Sequence, residues 1–380
     1  MKKKKKEKKI LYQLIFSAFL LFSNAYLVKA NSDILSQDST GKYCINTEQD
    51  YYNFIENIQN YNNKTVILCN DIDISDVPEA TSSFGGILNG KGHTITYASK
   101  EAKENIAVFP FRINDNGIVE NINVQIDESY AYNSETDEFQ TVFSQCDGIA
   151  KGITIKGNVT CIYDDEDEDV SIGAIEGNGT LMDSSIAITY DLQSEKTIEE
   201  IAEDIVENDL EFEFCQLGTT YTGITYQNCI GYGQYSEAIK SLADELEPKI
   251  EDDTWGSLYV SFTRKSFFST SASATNCYYD KENMPDIKIR SEYIANRDNN
   301  KEFPNYADFG KTTSEMKNQG TYEGFDFNKK WTISPEDNNG YPYYNLQTEE
   351  ITLKVQASTE PKVWSTSVPR DYNRFVDYAK

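Results

Sequence analysis

The chain of 380 residues is 39% hydrophobic and 13% aromatic, a composition that excludes wholesale disorder. Its 62 acidic residues outnumber its 35 basic residues, which gives a formal net charge of −27. Such a surface repels nucleic acid, anionic membranes and polyanionic glycans, so we expect none of these as a partner.

The first thirty residues have the pattern of a signal peptide. Residues 2–9 carry seven lysines and one glutamate, residues 10–22 are mostly apolar, and Val28 and Ala30 occupy the small-residue positions of a cleavage site. An uncleaved anchor is the alternative, but the apolar run is shorter than the ~20 residues of a spanning helix. We therefore expect cleavage after this segment, no transmembrane span afterwards, and a secreted or extracellular protein, with association at the cell surface as an open alternative.

A helix is predicted next, from Glu48 to Gln59 after the capping residue Thr47. It would cover the first open strand edge of the fold.

The stretch "FGGILNGKGHTI" at residues 84–95 contains the only histidine, His93, and nearly spells a phosphate-binding loop. Such a loop needs Ser or Thr after Gly-Lys and a helix that begins there, whereas Gly92 follows Lys91 and "HTITY" is typical of a strand. His93 has no Ser or Cys nucleophile close by in the sequence, although partners from elsewhere in the chain stay an open alternative. We predict a turn in which Asn89-Gly90 and Lys91-Gly92 supply positive φ, and we assign no catalytic or cofactor-binding residue.

A repeat follows in the middle of the chain. Gly117, Gly148 and Gly179 lie thirty-one residues apart, and alternating Ile, Val and Thr residues follow each glycine. Asn228-Cys229 and Asn276-Cys277 occupy similar places in two weaker copies. Units of this kind bury their apolar faces by stacking, which predicts an all-β, parallel β-helix. A β-sandwich with coincidental glycine spacing is the alternative.

Two amphipathic helices interrupt the repeat. One begins with a capping box formed by Thr197 and Glu200, and the other is "SEAIKSLADELEP". We expect both apolar faces to pack on their own domain rather than to recruit a partner.

An acidic run, "DDEDED" at 164–169, offers oxygen ligands of the kind that calcium prefers. It lacks the spacing of known calcium loops, so a solvated loop is the favoured interpretation. Calcium binding stays a secondary hypothesis, and no metal ligand is assigned.

Seven cysteines with no C-x-x-C pattern and one histidine disfavour a zinc site. The odd number leaves at least one free thiol, and the sequence alone does not determine the pairing. A disulfide between Cys44 and Cys69 would link the first two predicted strands. Cys229 and Cys277 are predicted to be reduced neighbours.

Several motifs resemble those of a known family. "YCINTEQDYYNFIENIQNYNNKTVILCNDIDIS", "FGGILNGKGHTI" and "NNGYPYYNL" are similar to segments of bacterial secreted and surface proteins with GLUG-type repeats. The best copy of the GLUG element, "SIGAIEGNG", is degenerate. The resemblance covers roughly residues 41–347. It implies a single-stranded right-handed parallel β-helix at 31–348, with an N-terminal capping helix, helical insertions and capping units at both ends. A tail follows at 349–380, in which one strand is predicted at 351–355.

The final aromatic segment of that domain is expected to cover the end of the last strand with Phe325, Phe327, Trp331, Tyr341 and Tyr343.

The expected function is non-catalytic, adhesin-like recognition of a host or environmental glycan or protein. Tyrosines near predicted turns are candidate contacts: Tyr130, Tyr132, Tyr221, Tyr226, Tyr232, Tyr235, Tyr278 and Tyr279. A competing interpretation is that half of them fill the core of the fold or its ends. The alternative is an extracellular polysaccharide-degrading enzyme, a lyase or glycoside hydrolase, for which no carboxylate pair can be assigned among so many acidic residues. A structural envelope component is a third possibility.

Overall fold

The computed structural model describes residues 35–75, 77–78, 80–98, 107–132, 140–163, 169–218, 223–251, 254–261, 273–284, 287–291, 309–345, 351–356 and 363–368. The predicted signal peptide and most of the acidic run at 164–169 lie outside these residues.

Strands dominate the described chain. The first nine are β1 (Tyr43–Ile45), β2 (Thr65–Leu68), β3 (Ile72–Ile74), β4 (Ile87–Asn89), β5 (Thr94–Ala98), β6 (Phe109–Ile113), β7 (Ile118–Tyr132), β8 (Gln140–Cys146) and β9 (Ile149–Ile162). The next eight are β10 (Val170–Ile175), β11 (Thr180–Met182), β12 (Ser185–Gln193), β13 (Glu211–Cys215), β14 (Thr225–Gln227), β15 (Ile230–Gly231), β16 (Gln234–Tyr235) and β17 (Ser257–Ser261). The last eight are β18 (Ser273–Thr275), β19 (Tyr278–Asp280), β20 (Ile287–Ile289), β21 (Gly310–Lys311), β22 (Trp331–Thr332), β23 (Tyr343–Tyr344), β24 (Ile351–Gln356) and β25 (Val363–Val368).

The described helices are short and lie between the strands. They are α1 (Glu48–Glu56), α2 (Ile198–Glu207), α3 (Glu237–Leu246) and α4 (Thr313–Met316). Single 3-10 turns occur at Ile58–Tyr61, Glu247–Lys249, Gln319–Thr321 and Asn338–Gly340.

Two parallel sheets form the body of the protein. The path through the larger sheet, which has 15 strands, runs β1-β2-β4-β7-β9-β12-β15-β19-β21. The smaller sheet, in the order β20-β17-β13-β10-β8-β6, is parallel except for the antiparallel pair β17 and β20. The chain is therefore mostly β, with strands from successive segments lying side by side in parallel, as the repeat predicts.

The repeated glycines allow neighbouring strands to approach closely. The N–H of Ile149 donates to the Gly117 carbonyl at 3.0 Å, and the N–H of Thr180 donates to the Gly148 carbonyl at 2.9 Å. A Cβ atom on Gly148 would lie 2.3 Å from the Gly117 oxygen, and one on Gly179 would lie 2.2 Å from the Gly148 oxygen. Only glycine fits these positions, which is the physical reason for the repeat in the sequence.

A second series of equivalent positions has left-handed backbone geometry. The φ angles are 56° at Asn121, 61° at Gly152, 50° at Asp183, 52° at Asn228 and 52° at Asn276. Glycine, asparagine and aspartate are the residues that tolerate this conformation best. The asparagines also link the turns, because Asn276 donates to Asn228 at 3.3 Å and Asn228 donates to Asp183 at 3.0 Å.

The spacing between paired residues lengthens along the chain. Asn89 contacts Glu120 across 31 residues, whereas Asp183 and Asn228 are 45 residues apart and the step from Asn228 to Asn276 is 48. The longer intervals contain α2 and α3, so the helices are insertions that leave the strand pairing intact.

Inward-facing aliphatic side chains form rows across the strands. Ile122 pairs with Ile153, and Val124 pairs with Ile155, which in turn pairs with Ile186. All five are buried. Burying this much aliphatic surface in register supplies the main hydrophobic stabilisation of the sheet.

Helix α1 covers the first strands. The hydroxyl of Thr47 accepts a hydrogen bond from the N–H of Asp50 at 3.1 Å and caps the helix. Phe54 packs edge-on against Phe84 and Phe111, with ring centroids 5.4 and 5.7 Å apart. The helix ends at Glu56, slightly before the predicted boundary, and the chain continues as a 3-10 turn.

The two helical insertions pack on their own domain, as predicted. Thr197 and Glu200 form the expected capping box at α2. The two helices contact each other, and α3 also contacts β12. Their buried side chains are Ile201, Ala202 and Ile205 on α2 and Ile239, Leu242, Ala243 and Leu246 on α3.

The predicted tail at 349–380 contains two described strands, β24 and β25, which pair antiparallel with each other. The sequence predicts only the first of them, at 351–355.

Candidate functional site

The stretch that resembles a phosphate loop is a turn between β4 and β5. Lys91 and Gly92 have φ angles of 53° and 85°. No helix follows, because β5 begins at Thr94. Gly90 does not have positive φ; a Cβ there would lie 2.3 Å from a side-chain atom of Ile122, so this glycine is required by close packing. The prediction of a turn agrees with the strands, and its assignment of positive φ to Gly90 is wrong.

His93 contacts an acidic residue of the preceding segment. Its Nδ1 atom lies 3.0 Å from Oδ1 of Asp71, and the same oxygen accepts a hydrogen bond from the N–H of Thr94 at 2.9 Å. Asp71 directly precedes β3, so its carboxylate connects the turn to the start of that strand. This arrangement is typical of an architectural contact.

The cysteines divide into one pair and five thiols. Cys44 and Cys69 form a disulfide across 25 residues, with Cα atoms 5.9 Å apart, and this is the pairing that the sequence raised as a candidate. The free thiols are all buried: Cys146, Cys161, Cys215, Cys229 and Cys277. Burial raises the pKa of Cys146 to about 12 and places the pKa of Cys229 well above its usual value. Thiols that are buried and protonated are poor nucleophiles and poor metal ligands.

Among the described residues, no group of three or more His, Cys, Asp or Glu side chains could hold a metal ion. Calcium binding by residues 164–168 concerns residues outside the described part of the chain, so it stays a hypothesis.

Most tyrosines proposed as surface contacts are not exposed. Tyr226, Tyr235, Tyr278 and Tyr279 are buried, and Tyr232 is partly buried. The side chains of Tyr130, Tyr132 and Tyr221 lie outside the described part of the chain. The four buried residues are therefore not surface contacts and fill packed layers instead, which is the competing interpretation that the sequence offered.

Trp255 is the large apolar side chain that the described surface does expose, at 42% of its area. The backbone around it is firmly held: the N–H of Trp255 donates to Asp209 Oδ1 at 2.9 Å, and the N–H of Ser257 donates to the Leu210 carbonyl at 2.9 Å. A Cβ on Gly256 would lie 2.2 Å from the carbonyl oxygen of Ile205. A side chain on a backbone held in this way loses less conformational entropy on binding than one on a mobile loop, which makes Trp255 a candidate contact for a ligand.

The sequence gives no local signal for Trp255, because tryptophan is usually buried and its exposure depends on packing against α2.

The aromatic C-terminal segment, residues 309–345, forms a second apolar cluster outside the main core. We call this segment the C-terminal unit. Adjacent strand residues divide between the two clusters: Cys229 belongs to the main core, and Ile230 belongs to the second. The aromatic and aliphatic members that complete the second cluster are Tyr278, Met316, Tyr322, Phe325, Trp331 and Tyr341.

The C-terminal unit lies along the side of the larger sheet. A Cβ on Gly152 in β9 would lie 2.7 Å from the ring of Tyr344. Lys330 Nζ lies 2.6 Å from Oδ2 of Asp183, and this hydrogen bond is the main cause that raises the pKa of the lysine. The sequence predicts a cover over the end of the last strand, whereas these contacts extend back to β9 and to the turn before β12.

A fully buried carboxylate organises one end of this unit. Asp280 accepts hydrogen bonds from the Tyr341 hydroxyl at 2.5 Å, from the Thr313 hydroxyl at 2.8 Å and from Asn283 Nδ2 at 2.9 Å. Burial alone would raise the pKa of Asp280, but the hydrogen bonds outweigh burial and lower it. A charged carboxylate with its lone pairs satisfied is a structural anchor rather than a general base.

A lysine and an asparagine meet where the unit crosses β9. Lys156 Nζ lies 2.5 Å from Oδ1 of Asn338, and the ring of Tyr232 stacks on that of Tyr341 with centroids 4.6 Å apart. Burial lowers the pKa of Lys156. The sequence suggests no role for either residue, because they are 182 positions apart.

No protein-family model matches the chain, and neither a curated protein nor a solved structure matches it. The likeness to GLUG-repeat proteins therefore depends on the quoted motifs. Within the described residues, no helix combines the length and apolar character needed to cross a membrane.

Proposed function

We propose that the chain is a secreted or surface-associated recognition protein built on a single-stranded right-handed parallel β-helix of the GLUG-repeat type. It contributes binding rather than catalysis, and its ligand is a glycan or a protein outside the cell. The parallel register with a 31-residue period supports the architecture. The right-handed sense follows from the strong general preference for right-handed connections between parallel strands.

The Cys44–Cys69 disulfide and the lysine-rich leader support secretion. Disulfides persist in oxidising compartments, and the leader has the three regions of a signal peptide.

Trp255 is the observation that carries the recognition role. It presents a flat apolar face on a backbone that hydrogen bonds hold on both sides. The neighbouring Asp209 and Glu251 side chains are exposed, and carboxylates of this kind accept hydrogen bonds from sugar hydroxyls or from peptide groups.

The test is a glycan and extracellular-matrix protein array probed with the wild-type protein without its leader. We expect one ligand class to bind, Trp255→Ala to lose at least about thirtyfold in affinity, and Trp255→Phe to keep most of it, in line with a loss of about 2 kcal/mol or more at a hot spot. Uniformly blank arrays would contradict the recognition role.

The enzymatic alternative is tested on the same preparation. New reducing ends or unsaturated uronates after incubation with polysaccharides, abolished by a single carboxylate substitution, would replace recognition with catalysis.

A further inference from the structure

We propose that Lys156 and Asn338 join in an intramolecular isopeptide bond that attaches the C-terminal unit to β9. The bond would link side chains 182 residues apart. It is a covalent modification site independent of the recognition function proposed above.

The reacting atoms are close enough for this bond. Lys156 Nζ lies 2.5 Å from Oδ1 of Asn338. Because a C=O bond is about 1.23 Å long, Nζ is at most about 3.7 Å from Cγ. Reacting atoms in a near-attack arrangement are about 3–3.5 Å apart, so a small rotation of the amine brings it over the carbonyl carbon.

The carboxamide of Asn338 is held in one orientation. Its Nδ2 donates to the Tyr341 carbonyl at 3.2 Å, to the Pro342 carbonyl at 3.2 Å and to the Tyr232 hydroxyl at 3.0 Å. Two carbonyl acceptors require the NH2 group on that side, which leaves the oxygen facing Lys156. The electrophile is therefore preorganised before any reaction.

The amine is partly prepared as a nucleophile. Burial is the cause that lowers the pKa of Lys156, and no carboxylate among the described residues contributes to its titration. A lower pKa increases the fraction of neutral amine, the form that attacks a carbonyl.

Tyr232 is placed to move the proton. Its hydroxyl lies 3.2 Å from Oδ1 and 3.0 Å from Nδ2 of Asn338. Burial raises the pKa of Tyr232 to about 12, so the phenol stays protonated and can donate to either atom. This positioned hydroxyl can serve as a proton relay between the two groups.

The reaction balances without an oxidant or cofactor. The lone pair of neutral Lys156 attacks Cγ of Asn338 and forms the new C–N bond. A proton passes from Nζ through the Tyr232 hydroxyl to Nδ2, the Cγ–Nδ2 bond breaks, and ammonia leaves. The product is one amide bond between the two side chains, and the protein loses the mass of one ammonia.

Intact-mass measurement of the purified, folded, leaderless chain, followed by tryptic mapping, tests the bond. We expect a mass lower by one ammonia and a branched peptide that contains both Lys156 and Asn338. Lys156→Arg and Asn338→Asp should each restore the unlinked mass while keeping a polar contact at the site.

A matched control removes the competing source of ammonia loss that lies next to the site. The Asn339-Gly340 sequence can form a cyclic imide, and Asn339 has a φ of 53°, so Asn339→Gly preserves the backbone and removes that route. The branched peptide should persist in Asn339→Gly. Recovery of only unlinked Lys156 and Asn338 peptides after the folded protein has stood for days at neutral pH would overturn the proposal. An ammonia loss that tryptic mapping places at Asn338 in the Lys156→Arg, Asn339→Gly double variant would overturn it as well.

Discussion

Gly148 lies directly beside the Gly117 carbonyl of the preceding repeat, so close that a Cβ atom would come within 2.3 Å of the oxygen. The same contact recurs between Gly179 and Gly148 at 2.2 Å. Because the obstructing atom belongs to the backbone, neither contact can be relieved by moving a side chain.

Gly148→Ala should therefore destabilise the protein by about 2 kcal/mol or more, since the strands must separate to accept the methyl group. Chemical denaturation of the chain without residues 1–30 measures the loss. The control is Gly320→Ala, where the added Cβ would meet only a side-chain oxygen at 3.4 Å. An equal loss in both variants would contradict the steric explanation.

The left-handed turn at Asn228 gives a second prediction. Asn228→Ala should cost about 2 kcal/mol, because alanine disfavours a φ of 52° and the hydrogen bond to Asp183 is lost. Asn228→Gly also loses the hydrogen bond, but glycine adopts this φ without strain, so the substitution should cost about 1 kcal/mol. If the two variants unfold at the same denaturant concentration, the backbone preference contributes nothing.

The buried carboxylate of Asp280 predicts a dependence of stability on pH. Because the folded chain lowers the pKa of this group, the unfolded chain binds the proton more tightly. The stabilisation is fully present above the unfolded pKa of about 3.9 and is lost as the pH falls through the lower folded pKa.

Asp280→Asn should therefore lower the free energy of unfolding at pH 7 by about 2 kcal/mol. The difference from wild type should become smaller at strongly acid pH. Denaturant titrations at neutral and strongly acid pH measure both effects. Asp73→Asn, at an exposed strand position, is the control and should change stability by less than about 0.5 kcal/mol. A stability difference between wild type and Asp280→Asn that stays constant with pH would contradict the prediction.

The Cys44–Cys69 disulfide is expected to stabilise the first strands. Replacing both cysteines with serine should cost about 3 kcal/mol, because the bond closes a loop of 25 residues. Thermal unfolding of the variant beside wild type with and without reductant measures the effect. Cys161→Ser is the control for substitution at a cysteine, and reductant should still lower its melting temperature. Alkylation of all seven cysteines in unreduced, unfolded protein would show that the bond does not form.

Local patterns predicted a good part of this architecture. The glycine spacing anticipated the parallel register, and Thr197 with Glu200 marked the start of α2, because turn residues and capping residues act over a few positions. Positive φ at Lys91 was predictable for the same reason. The exposure of the tyrosines was not predictable. A side chain beside a turn can face either a packed layer or solvent, and distant segments of the chain decide which.

The sequence by itself determined the 31-residue strand period, the aliphatic rows, the turn residues and the capped helices, because each follows from backbone sterics or from alternation along one strand. Only the tertiary structure decided that the C-terminal unit lies along the sheet, that Lys156 meets Asn338 and that Trp255 faces solvent. These relationships join segments far apart in the chain. Their free energy comes from the packing of two surfaces, a quantity that no short stretch of sequence contains.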